Sequence, residues 1–117
     1  MTKKRKVLRY ISDMLKEPLH PGVFLNSVRL LLELSKRVPL ETVGVFEGCK
    51  DGSVNLVIHN FEKSTRVDFD IKRDDDCDHT WIEFVLQDTQ GIKKTSLFQQ
   101  EDLEDIFEFL GIEDLNE

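Results

Sequence analysis

The densest cluster of side chains with ligand or acid–base chemistry is Asp74, Asp75, Asp76, Cys77, Asp78 and His79. Oxygen-rich clusters hold calcium, and a Cys/His pair suits zinc. The calcium template fails in its details. With Asp74, Asp76 and Asp78 as the first three ligands, the required glycine falls on His79 and the bidentate glutamate on Val85. For zinc there is one Cys and one His, with no second pair at ligand spacing. The expectation is a solvated acidic hairpin loop, with no metal and no cofactor.

The histidines are His20, His59 and His79. Nucleophilic catalysis needs a Ser or Cys, a His and an orienting acid that converge in space. The sequence has no nucleophile elbow, no Gly-rich phosphate loop and no zinc-protease helix motif. His20 beside Pro21 reads as a turn residue, and His59 falls in a strand, facing opposite to Ile58. Asp68 and Asp70 share a strand face, a spacing that suits paired carboxylates in acid–base work. Arg66 and Lys72 share that face too, which makes a cross-paired, solvated sheet face the simpler reading. No catalytic residue is assigned, and the chain is not expected to be an enzyme.

What remains is charge. Residues 1–40 carry nine Lys/Arg and three Asp/Glu, whereas residues 41–117 carry seven and twenty. The basic cluster Lys3 to Lys6, with Arg9 and Lys16, resembles a phosphate-binding or nuclear-localisation patch. It occupies one short element and has only Tyr10 as an aromatic, beside a body of net charge −13. It reads first as the solvated face of a helix that docks on the protein's own acidic face, and nucleic acid is not the expected partner. At the other end Glu101, Asp102, Glu104, Asp105, Glu108, Glu113, Asp114 and Glu117 occur with no Lys or Arg after Lys94. Like charges at i and i+4, such as Glu101/Asp105 and Glu104/Glu108, each cost a few tenths of a kcal/mol in an isolated helix. A sequence that accepts this uses the field for association.

The elements that position these residues follow from periodicity. Val7, Leu8, Ile11, Met14 and Leu15 make a helical stripe over 4–16, closed by Pro18 and Pro21-Gly22. A second helix over about 21–37 carries Phe24, Leu25, Val28, Leu31, Leu32 and Val38, with Asn26, Ser27, Arg29, Glu33, Lys36 and Arg37 facing elsewhere. Lys36 and Arg37 fall in its last turn and favour the dipole there, and Pro39 ends it. From Thr42 the period becomes two. Strands are expected over 42–48 and 53–61 around Lys50-Asp51-Gly52, then at Val67/Phe69/Ile71 and Ile82/Phe84/Leu86, and over 92–98 after Thr89-Gln90-Gly91. Leu103, Ile106, Phe107 and Leu110 form the stripe of a last helix over about 100–110, with Gly111 as a left-handed cap and Ile112 beside it. The fold class is α+β: two N-terminal helices, an antiparallel meander of about five strands and one C-terminal helix in a single domain, residues 1–117.

No signal peptide and no membrane span are legible, and the two cysteines, Cys49 and Cys77, are expected to be reduced thiols, so the expected location is cytoplasmic. The functional expectation is a small acidic protein-binding module: an immunity protein or antitoxin-type inhibitor that neutralises a basic toxin such as a nuclease. Its contact residues would be Asp74, Asp75, Asp76 and Asp78 together with Glu101, Asp102, Glu104, Asp105 and Glu108. The alternatives are a phage-type acidic mimic of nucleic acid that inhibits a host enzyme, or a small enzyme or metal-binding domain using the loop 74–79.

Overall fold

The computed structural model describes residues 3–16, 19–37, 44–50, 52–74 and 79–112. Helices α1 (Lys3–Leu15) and α2 (Pro21–Ser35) precede strands β1 (Gly44–Lys50), β2 (Ser53–Asn60), β3 (Thr65–Arg73), β4 (Thr80–Asp88) and β5 (Gly91–Leu97), and helix α3 (Asp102–Leu110) follows. The strands pair in chain order as one antiparallel sheet. Gly52, with φ +79°, supplies the left-handed residue between the paired Lys50 and Ser53. Asn60 shapes the next turn, its Oδ1 accepting from the backbone of Glu62 and Lys63.

Alternation divides the sheet into two unlike faces. Val54, Leu56 and Ile58 of β2, Val67, Phe69 and Ile71 of β3, and Phe84 and Leu86 of β4 form a buried block. Phe69 lies directly opposite Phe84 in the β3–β4 register. Val7 and Met14 of α1, five residues of α2 including Leu30, Leu31 and Leu34, and the whole stripe of α3 close over this block. The opposite face carries no helix among the described residues. It is held by side-chain pairs: Arg66 donates two hydrogen bonds to Asp68, at 2.9 and 2.8 Å, and Gln87 donates a third at 2.8 Å. Asn55 reaches Asp70, and Lys72 and Trp81 both reach Glu83.

Three expectations are corrected. Among the described side chains of α1, Val7 and Met14 are buried, while Leu8 and Leu15 are exposed. Helical spacing aligns five apolar residues, but the width of the neighbouring surface decides how many are covered. Ser27 is fully buried because its hydroxyl donates to the carbonyl of Val23, 2.8 Å away, and so needs no solvent. Asp68 is only 8 % exposed, beneath the side chains that pair with it, where a solvated carboxylate was expected. The thiol of Cys77, and the helix-ending Val38 and Pro39, lie outside the described residues, as does the side chain of Cys49.

Candidate functional site

The acidic helix α3 is built as its sequence implies. Leu103, Ile106, Phe107 and Leu110 are buried and fix its rotation. Gly111 follows at φ +69°, with its N–H bonded to the carbonyl of Glu108 and that of Ile112 bonded to Phe107. This double closure is the Schellman motif, and the left-handed residue in it favours glycine. Asn60 donates to the carbonyl of Leu110 at 2.7 Å, tying the helix end to the β2–β3 turn. A methyl group at position 111 would also require the flexible end of the Lys63 side chain to move aside.

This anchoring decides which acids are available. Asp102 is half-buried, and its carboxylate accepts the backbone N–H of Gln99 at 2.7 Å. It is engaged in starting the helix, where a carboxylate also suits the dipole. Glu104 takes a 2.6 Å ion pair from Arg37, a residue sixty-seven positions away. The Arg37 guanidinium also lies 4.4 Å from the centroid of the Phe107 ring. Arg37 therefore joins the end of α2 to α3, in place of the expected role in the last turn of its own helix, which ends at Ser35. Glu101, Asp105 and Glu108 remain, all exposed and without an ion-pair partner among the described residues. Their spacing of four and three residues sets them in one line along the helix.

The second expected cluster stands elsewhere. Asp74 follows β3, and its N–H donates to the carbonyl of His79 at 2.9 Å, closing the base of the β3–β4 hairpin. Asp75, Asp76 and Asp78 lie outside the described residues. The hairpin base adjoins the start of α2, since Asn26 bonds to Thr80, at the end of the sheet where the Phe98–Ile82 bond brings in the start of α3; α3 runs from there to the β2–β3 turn at the other end. Among the described residues no group of three or more His, Cys, Asp or Glu could hold a metal.

The histidines have local partners. His20 accepts the N–H of Gly22 on Nδ1 at 3.0 Å and so caps α2, a more specific task than its expected turn role. His59 lies against Phe61 in a tilted pair, with ring centroids 4.1 Å apart, and His79 stacks on Trp81. The basic helix α1 packs on α2 and β1, while α3 packs on β3. No described helix is long and apolar enough to cross a membrane. Compared with known proteins, the chain matches no family model, no curated protein and no solved structure.

Proposed function

We propose that the protein is a cytoplasmic binding module that neutralises a basic protein, in the manner of an immunity protein or antitoxin acting on a toxin such as a nuclease. The observation that carries this reading is the line of exposed carboxylates Glu101, Asp105 and Glu108, without an ion-pair partner among the described residues, on a helix whose opposite face is buried. A rigid acidic ridge of this kind speeds encounter with a cationic surface and disfavours nucleic acid and anionic lipid. Toxins that act on nucleic acid are basic for the same electrostatic reason, so acid suits their inhibitors.

The test is association kinetics with the partner recovered from the native cell. The association rate falls steeply with salt while dissociation changes little. Reversing Glu101, Asp105 and Glu108 together to Lys leaves the melting curve nearly unchanged and slows association about tenfold or more. A partner whose binding ignores both salt and the reversal removes the acidic ridge from the interface.

A further inference from the structure

Beside the start of α3 lies a cleft of about 170 Å³ lined by Asn26, Arg29, Leu30 and Glu33 of α2, Ile82 of β4, and Phe98 and Gln100 of the segment that joins β5 to α3. Its floor is apolar and its walls are fixed. The Phe98 N–H donates to the Ile82 carbonyl at 2.7 Å. The Phe98 ring meets those of Phe69 and Phe84 edge-on, at centroid distances of 5.7 and 6.2 Å. Asn26 is held by Thr80 at 2.7 Å.

Size limits what can enter. Cofactor and drug-sized sites run to roughly 300–1,000 Å³, whereas an apolar cavity of about 150 Å³ takes one benzene. The cleft accepts a single side chain. Charge narrows the choice further. Arg29 is exposed on the rim and forms no ion pair among the described residues, so its guanidinium is available to cover the face of an inserted ring. Glu101 follows Gln100 directly and has no ion-pair partner among the described residues, and Glu33, paired with Lys36, stands on the α2 wall.

We propose that this cleft receives one aromatic side chain of the basic partner, flanked there by Lys or Arg residues that meet Glu101 and its neighbours on α3. The proposal rests on the reading of α3 as the partner-facing ridge and adds the apolar anchor that such a ridge lacks. Tight interfaces concentrate their energy in a desolvated aromatic anchor, with charge at the rim setting the rate.

Three tripeptides capped at both ends serve as probes for the free protein: Lys-Trp-Lys, Lys-Ala-Lys and Glu-Trp-Glu, followed by amide NMR shifts. Lys-Trp-Lys shifts the resonances of Ile82, Phe98 and Gln100 and binds at least threefold more tightly than either of the others. Gln100→Trp, a change at an exposed position that fills the cleft, weakens it at least tenfold. Arg29→Ala weakens it about threefold. Equal shifts from the Trp and Ala peptides, shifts centred elsewhere, or unchanged binding to Gln100→Trp would overturn the anchor. A preference for Glu-Trp-Glu would overturn the basic flanks. The two readings also separate with the whole partner. If the triple Lys reversal slows association but Gln100→Trp does not weaken the complex, the cleft fails and the ridge stands. If Gln100→Trp weakens the complex and the reversal changes nothing, the ridge fails and the aromatic anchor stands without its acidic rim.

Discussion

The two faces of the sheet are made from the same strands and are held together by different physics. On the helix side, Phe69 and Phe84 sit opposite one another in a block of aliphatic residues, each of them essentially inaccessible to solvent. That side is non-directional: area removed from water and close packing do the work. On the bare side Arg66, Asp68 and Gln87 are joined by hydrogen bonds of defined geometry, and Glu83 ties Trp81 to Lys72. A slip of one residue in β3 would exchange these two sets, burying Asp68 and Asp70 under the helices. The inner face therefore supplies most of the stability. The outer face makes the alternative register costly.

The largest effect that can break this contrast is in the packed layer. Phe69→Ala leaves a void between α2, α3 and the sheet, and costs about 3–5 kcal/mol. That is a large part of the stability of a domain this size, and chemical denaturation measures it directly. Near-wild-type stability would mean that the helices do not close over β3.

A smaller effect is expected on the bare face. Asp68→Ala removes the acceptor of three hydrogen bonds and leaves Arg66 and Gln87 without it. Arg66 is substantially exposed and can turn to water, so the loss is about 1–2 kcal/mol, well below that for Phe69. Asp68→Asn keeps the shape and recovers part of it. If Asp68→Ala and Phe69→Ala were equally damaging, the outer face would be a second core and the two faces would not differ in kind.

Much of this was legible from residue types alone. Period-two alternation places Phe69 and Phe84 inside, and the turn residues around Gly52 and Gly91 set the meander. The α3 stripe and its Gly111 cap are local patterns, and local patterns survive folding. Long-range pairing is not legible in this way. Nothing near Arg37 announces Glu104, so the line of acids looked uniformly available when one of them is engaged by a distant cation. Asp102 is a different case: a carboxylate in the first turn of a helix is favoured by the dipole, but its bond to the Gln99 N–H follows no spacing signal. The α2 cleft was missed because its walls come from α2, β4 and the β5–α3 connection, whose juxtaposition is a property of topology.

The finest distinction between the faces is electrostatic, because the ion pairs of the sheet lie on the bare face. The carboxyl of Glu83 is held below the ordinary glutamate value, first by the hydrogen bond from the Trp81 indole and then by Lys72, with partial burial acting in the opposite sense. The indole nitrogen lies 3.0 Å from one carboxylate oxygen and the Lys72 ammonium 3.3 Å from the other. A carboxyl whose folded value is depressed stabilises the fold above its unfolded value, and that contribution disappears as pH falls through the folded one. Trp81→Phe removes the N–H and keeps a ring beside His79. Its carbon-detected titration should place Glu83 closer to the ordinary value than in the parent, and Lys72→Met should move it in the same direction. The stability difference between parent and Trp81→Phe should shrink as the solution is taken into acid below the ordinary glutamate range. Glu83 is exposed enough for water to screen most of this, so the change in overall stability is the smallest of the three. A titration of Glu83 that is identical in parent and Trp81→Phe would show that the indole merely covers the strand, and the directional character assigned to this face would then rest on Asp68 alone.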